Sequence, residues 1–173
     1  QRRSDWVERR RRQMCRRERI NPKDLEGFDA VIHLGGAGIG DKRWTQKRMK
    51  LLEDSRTQST ELLAKTIAQL EKKPEVFIVS SAIGFYGNRG DEELTEESKR
   101  GEGFLPDVCE AWEQAAQSAR DAGIRTIHCR PSLVLDATGG ALQNIHLPVQ
   151  LGARGPHVGV THGHLCMCLL ADV

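Results

Sequence analysis

The chain has 173 residues, of which 38% are hydrophobic and 29% are charged, so it can bury a core as an ordinary water-soluble protein. No apolar run approaches the ~20 residues of a membrane span, and no apolar segment follows the basic N-terminus as it would in a signal peptide. Five cysteines without the spacing of a disulfide framework predict a reducing compartment, either the cytoplasm or the reducing interior of an organelle.

The positive charge is concentrated in the first 20 residues, here called the basic arm (residues 1–20). Nine arginines and three acidic residues give the arm a net charge of +6, whereas the other 153 residues carry −4. A nucleic-acid-binding domain would spread positive charge over a folded face, so we predict no nucleic-acid partner. Runs of like charge are typical of solvated segments, and we predict that the arm is disordered or loosely helical. An arm that contacts RNA or a membrane surface, or a targeting segment, is the alternative.

The first predicted strand runs from Phe28 to Leu34 and is followed by the glycine loop (Gly35–Gly40). A strand that leads into glycines allows a nucleotide to approach the backbone closely. The spacing differs from a G-x-G-x-x-G turn that opens directly into a helix. We therefore predict that this strand end packs against a cofactor and does not cradle its pyrophosphate.

A long helix is predicted from Asp41 to Lys73, with residues 41–44 as an alternative loop and Pro74 as the residue that ends it. The apolar run Val76–Val79 that follows is typical of the central strand of a parallel sheet, covered on both faces. Strand, crossover helix and strand form a βαβ unit.

Ser80, Ser81 and a loop that ends at Gly87 follow this central strand. Because ligands of open α/β sheets bind beyond the carboxyl ends of the strands, these residues are predicted to face a small molecule. The alternative interpretation is a plain strand that ends in small turn residues.

The rest of the chain is predicted to contain an acidic loop (88–103), a helix from Leu105 to Ala122 capped by Gly123, and a strand from Ile124 to Cys129 that continues through residues 132–135. Four residues of metal-ligand types stand in the tail: His162, His164, Cys166 and Cys168. On a strand they would span about 20 Å, too far for one zinc ion, so we predict no metal site.

Seven motifs follow one another within residues 21–152: residues 25–36, Arg43-Trp44, Ser55-Arg56, residues 80–87, residues 94–96, Trp112-Glu113, and residues 130–135 with 139–142. In this order they resemble the extended short-chain dehydrogenase/reductases of the NAD-dependent epimerase/dehydratase type. They resemble most the epimerase-family branch related to sugar-nucleotide epimerases, which is sometimes labelled cell-division inhibitor.

The resemblance implies a Rossmann fold that binds NAD or NADP and acts on an unknown, nucleotide-sugar-like substrate. A serine at the place of Ser81 hydrogen-bonds the substrate hydroxyl or carbonyl in active relatives. A tyrosine with a lysine four residues later moves the proton. By position, the implied cofactor-binding residues are Leu34, Gly35, Gly36, Ala37, Ser80, Ser81, Arg130, Pro131 and Ser132.

The chain departs from this pattern at the catalytic pair. Its one tyrosine, Tyr86, is followed four residues later by Gly90, and Cys109 and Glu113 stand where the tyrosine and lysine belong. A nearby carboxylate would raise the pKa of the Cys109 thiol, and a small buried core residue is the alternative interpretation of that cysteine. The candidate catalytic residues are therefore Ser81, Cys109 and Tyr86, and the resemblance leaves open whether the chain is an active enzyme.

The glycine fingerprint of the family and its C-terminal half are also absent. The predicted fold is thus α/β, a partial Rossmann-like doubly wound parallel sheet that lacks the first βα unit and the C-terminal substrate domain. We predict a basic arm (1–20), a partial NAD(P)-binding domain (21–152) and a divergent tail (153–173). The predicted function is that of an epimerase/dehydratase-like oxidoreductase, present as a fragment. The alternative is a non-catalytic module that works through protein contacts, including self-association at an exposed sheet edge. We predict no membrane partner in either case.

Overall fold

A computed structural model describes residues 20–136, 139–140 and 167–169, with the backbone alone at 135–136 and in the last two segments. The fold is α/β, as predicted. Two short 3₁₀ turns occupy Pro22–Asp24 and Ile83–Tyr86. The other elements are β1 (Ala30–His33), α1 (Gln46–Ala68), β2 (Val76–Ser80), α2 (Phe104–Gln114), α3 (Gln117–Asp121), β3 (Arg125–Cys129), β4 (Leu133–Asp136), β5 (Gly139–Gly140) and β6 (Met167–Leu169).

The described residues form two compact units, the first from residues 20–81 and 110–129, the second from the remainder. The predicted domain boundaries stay a prediction, because most of the basic arm and of the tail lies outside the described residues. His162, His164 and Cys166 also lie outside the described residues, and Cys168 is described only as part of the β6 backbone.

The first unit contains a parallel sheet in the order β1-β2-β3, which confirms β2 as its central strand and the partial Rossmann-like fold. Phe77 and Val79 are completely buried, whereas Val76 and Ile78 on the opposite face remain partly exposed. Among the described residues, the predicted cover is therefore complete on one face of the strand and partial on the other. Helix residues supply the cover on the buried face, where Leu63, Ile67, Trp112 and Ala119 join the core.

Helix α1 begins where the Thr45 hydroxyl accepts a hydrogen bond from the Arg48 amide at 3.2 Å, so residues 41–44 are loop. Its predicted end at Lys73 is wrong, because the helix ends at Ala68. The Lys72 amide donates instead to the Glu26 carboxylate at 2.5 Å, which holds this segment in a non-helical connection. Pro74 consequently precedes β2 without terminating α1.

The single helix predicted for residues 105–122 is divided into α2 and α3. The Ala116 amide bonds to the Glu113 carbonyl at 3.4 Å, a tighter turn than that of an α-helix, and the Arg120 side chain also donates to that carbonyl. Ala116 is completely buried at this break. Gly123 follows with φ of +81°, as its predicted capping role requires.

In the second unit, β4 pairs with β5 in antiparallel and with β6 in parallel orientation. The expectation that residues 132–135 continue the strand 124–129 is wrong, since β4 and β3 belong to different sheets. Pro131 lies between them and has no amide hydrogen for a strand ladder. Its carbonyl accepts a hydrogen bond from the Ile83 amide at 3.2 Å.

Candidate functional site

The glycine loop leaves the carboxyl end of β1 and is fastened to helix α1. The Ala37 amide donates to the Ser55 hydroxyl at 3.0 Å, and the Arg56 guanidinium donates to the Ala37 carbonyl at 2.9 Å. Leu34 remains 73% exposed before the loop, and Gly36 is exposed within it. The helix therefore fixes the loop backbone while part of the loop stays accessible.

A side chain would be crowded at the first two glycines of the loop. A Cβ atom at Gly35 would lie 2.8 Å from the Cε1 atom of His33, and one at Gly36 would lie 3.1 Å from the Cζ atom of Arg56. Gly40, by contrast, faces open space. A larger residue at Gly35 or Gly36 would therefore have to displace the His33 or Arg56 side chain.

His33 is the last residue of β1 and is only 1% exposed. The Ser59 hydroxyl donates to the Ser55 carbonyl at 2.7 Å, so at 3.0 Å it accepts a hydrogen bond from Nε2 of His33. Nδ1 is then an unprotonated acceptor, and it has no hydrogen-bond partner among the described residues. Burial lowers the pKa of His33 from 6.5 to about 4, so the ring is neutral at pH 7.

Arg56 is buried beneath the glycine loop and connects three parts of the first unit. Besides the Ala37 carbonyl, it donates to the Leu52 carbonyl at 2.9 Å, and its guanidinium carbon lies 5.1 Å from the Trp112 ring centroid. In the sequence, Arg56 stands out only as part of a family motif. Its spacing of four residues from the buried Leu52 was the signal that placed it on the inner face of the helix.

Ser80 and Ser81 end β2 beside the glycine loop, since β1 and β2 are paired and parallel. Ser81 is 3% exposed, and its hydroxyl donates to the Glu113 carboxylate at 2.7 Å. Its amide donates to the Cys129 carbonyl at 2.6 Å. The Ser80 hydroxyl donates to the Ser81 carbonyl at 3.2 Å. The pairing of Ser81 with Glu113 was missed by sequence reasoning, because 32 residues separate the two.

The second unit holds the remaining predicted residues. Arg130 places its guanidinium carbon 3.5 Å from the Phe85 ring centroid and donates to the Tyr86 hydroxyl at 2.9 Å. Cys109 is 4% exposed, and its sulfur would lie 3.7 Å from a Cβ atom at Gly84. Pro131 is exposed and Ser132 is partly buried.

The structure thus divides the predicted site residues into two groups. Leu34, Gly35, Gly36, Ala37, Ser80 and Ser81 lie at the carboxyl edge of the parallel sheet in the first unit, where Glu113 joins them. Tyr86, Cys109, Arg130, Pro131 and Ser132 belong to the second unit. Within the described part of the chain, no group of three or more metal-ligand side chains could hold an ion. No helix there is long and apolar enough to cross a membrane.

Known proteins resemble the chain in sequence and in structure. No protein-family model matches it. An epimerase family protein of Mycobacterium leprae is 35% identical over 148 residues, which are 86% of this chain and 47% of that protein. The chain therefore spans about half the length of the curated relatives it matches.

Two solved structures share this similarity in three dimensions. A nucleoside-diphosphate sugar epimerase from Corynebacterium glutamicum is 35% identical, with a TM-score of 0.64 over 75% of this chain and 27% of that one. The human epimerase family protein SDR39U1 (isoform 2), solved with NADPH, is 28% identical, with a TM-score of 0.73 over 87% of this chain and 53% of that one. Together with the parallel sheet, these similarities show that the chain belongs to the epimerase family of the short-chain dehydrogenase/reductase superfamily.

Proposed function

We propose that this chain carries part of the active site of an NAD(P)-dependent epimerase/dehydratase-like oxidoreductase that acts on a nucleotide-sugar-like substrate. The observation that carries the proposal is the adjacency of the glycine loop and Ser81 at the carboxyl edge of the parallel sheet. Ligands of such sheets bind at this edge. Two relatives add the ligand classes, since the human protein was solved with NADPH and the corynebacterial one is a nucleoside-diphosphate sugar epimerase.

The residues present fit a nicotinamide dinucleotide. Gly35 and Gly36 leave a backbone strip without side chains, which a flat group can approach closely, and the bonds from Ser55 and Arg56 keep this strip in place. In this proposal Leu34, Gly35, Gly36 and Ala37 line the adenine and ribose side, while Ser80 and Ser81 lie beside the nicotinamide. When bound, the cofactor would take up or return a hydride.

Among the candidate catalytic residues, Ser81 has the most favourable setting. Its hydroxyl is held by a hydrogen bond to Glu113 at the ligand-binding edge. The phenol of Tyr86 accepts a hydrogen bond from Arg130, and the burial of Cys109 is what a small core residue would show. We therefore propose Ser81 as the residue that contacts the reacting oxygen of the substrate. The roles of Tyr86, Cys109, Arg130, Pro131 and Ser132 stay predictions.

A titration of the purified chain with NADPH, followed by nicotinamide fluorescence, tests cofactor binding. We expect saturable binding that is weakened by Gly35→Ala, because the added methyl group displaces His33. The matched control Gly40→Ala adds the same group where it meets open space and should bind as the wild type does. Absence of binding by a wild-type chain that still unfolds cooperatively would refute cofactor binding by this chain. The non-catalytic alternative is not favoured by the comparisons.

A further inference from the structure

Ser81 and Glu113 form a close polar pair within the first unit. The Ser81 Oγ atom donates to the Oε1 atom of Glu113 at 2.7 Å, across the space between the end of β2 and helix α2. An ionised carboxylate can only accept hydrogen bonds, whereas a hydroxyl has one hydrogen to donate and two lone pairs. The single hydrogen of Ser81 is therefore committed to Glu113, and only acceptor capacity remains on its oxygen.

The backbone of Ser81 is held as firmly as its hydroxyl. Its amide donates to the Cys129 carbonyl at 2.6 Å, and its carbonyl accepts the Ser80 hydroxyl at 3.2 Å. Rotation of the Ser81 hydroxyl toward another acceptor would remove a donor from a charged group, which is among the costlier losses in a folded protein. The direction of the hydrogen bond is therefore built into the structure.

Resting on the function proposed above, we infer that Glu113 fixes Ser81 as a hydrogen-bond acceptor, so that the site selects the hydroxyl form of its substrate over the carbonyl form. A substrate hydroxyl can donate to the Ser81 oxygen. A substrate carbonyl would bring its own lone pairs against those of Ser81. The Ser81 hydrogen cannot relieve this repulsion, because Glu113 already holds it. Ser81 contacts the substrate, and Glu113 is a positioning residue that acts through it.

The direction of the hydrogen bond can be tested without any ligand, by measuring the pKa of the Glu113 carboxyl in the ¹³C-labelled full chain by NMR. Ser81→Ala removes a donor to the charged carboxylate and should raise this pKa on the order of half a unit. The matched control is Ser80→Ala, because the neighbouring hydroxyl donates to a backbone carbonyl and should leave the pKa unchanged. An equal pKa in the wild type and in Ser81→Ala would overturn the inference.

Substrate selection is tested with UDP-6-deoxyglucose and UDP-4-keto-6-deoxyglucose, which differ only in a hydroxyl or a carbonyl at C4. Calorimetric titration of the wild-type chain should show tighter binding of the hydroxyl form by about tenfold, the effect of one well-placed hydrogen bond. Glu113→Leu should abolish this preference, because it releases the Ser81 hydrogen. Glu113→Gln should retain part of it, since the amide oxygen can still accept.

The outcomes separate the inference from the proposed function. Binding of both sugars with equal affinity by the wild type would overturn the selectivity but leave the nucleotide-sugar substrate class standing. An unchanged preference in Glu113→Leu would show that the carboxylate does not set it, which also overturns the inference. Failure of both sugars to bind would overturn the substrate class together with the selectivity, whatever the result of the NADPH titration.

Discussion

Acidification should destabilise the first unit through one buried histidine. Burial lowers the pKa of His33 from 6.5 to about 4, so the folded chain binds fewer protons than the unfolded chain between these two pH values. The stabilisation is therefore complete above pH 6.5 and is lost progressively as the pH falls toward 4. The physical cause is that Nδ1 lies in a site without a hydrogen-bond partner among the described residues, where a charged ring would be poorly solvated.

The size of the effect follows from the separation of the two pKa values. Integration of the proton linkage gives a loss of about 2 kcal/mol at pH 5 and about 3 kcal/mol at pH 4, relative to pH 7.5. Such a loss is a large part of the 5–15 kcal/mol by which domains are typically stable, so it should be plain in a denaturation experiment.

Urea denaturation at pH 7.5 and pH 5 measures this loss, with His33→Gln as the reference variant. Glutamine does not titrate, and its amide can still donate to the Ser59 hydroxyl, which His33 contacts at 3.0 Å. Carboxylates titrate in both proteins, so only the difference between them reports on the histidine. The wild type should lose about 2 kcal/mol more than the variant between the two pH values. An equal loss in both proteins would refute the reasoning that burial of His33 drives the effect.

Two further predictions concern single hydrogen bonds of the first unit. Trp112→Phe leaves the buried Thr60 hydroxyl without its indole donor at 2.8 Å and should lower the free energy of unfolding by about 1–3 kcal/mol. The control Trp44→Phe removes an exposed hydrogen bond and should lower it by less. Urea denaturation measures both variants. Ser55→Ala releases the Ala37 amide and should weaken NADPH binding by about two- to tenfold in a fluorescence titration; unchanged affinity would show that the glycine loop does not need this contact.

The sequence predicts the central strand and the glycine loop because both depend on local residue types. Val76–Val79 is apolar and largely β-branched, and the glycines after β1 interrupt any regular element. β1 begins two residues later than predicted, where its pairing with β2 starts at Ala30.

The errors arise where a distant or nonstandard hydrogen bond overrides local propensity. Helix α1 ends before Lys73 because the Lys72 amide bonds to Glu26, 46 residues earlier in the chain. The break between α2 and α3 lies among alanines, the best helix formers, so no local signal marks it. It is stabilised by the bond from Arg120 to the Glu113 carbonyl.

The candidate site was likewise predictable only where it depends on local sequence. Position along the sequence placed Ser81 and the glycine loop at the edge of the sheet. It could not show that Ser81 donates to Glu113, because that contact depends on how α2 packs beside β2. From its spacing to Cys109, Glu113 was predicted to be a carboxylate that acts on a thiol. The structure instead gives its carboxylate a hydroxyl partner, which changes the chemistry expected of this position.

The most direct test of the central claim is a ¹⁵N NMR titration of the full chain with NADPH, which reports where the nucleotide binds. Binding at the carboxyl edge of the sheet should give saturable shifts of the amide signals at Gly35, Gly36 and Ala37 and at Ser80 and Ser81. Amides of Gln114, Gln117 and Ser118, which line a groove between α1 and the α2–α3 region, should remain unchanged. Shifts confined to that groove, or no shifts by a folded chain, would contradict the claim that the carboxyl edge of the parallel sheet is the cofactor site.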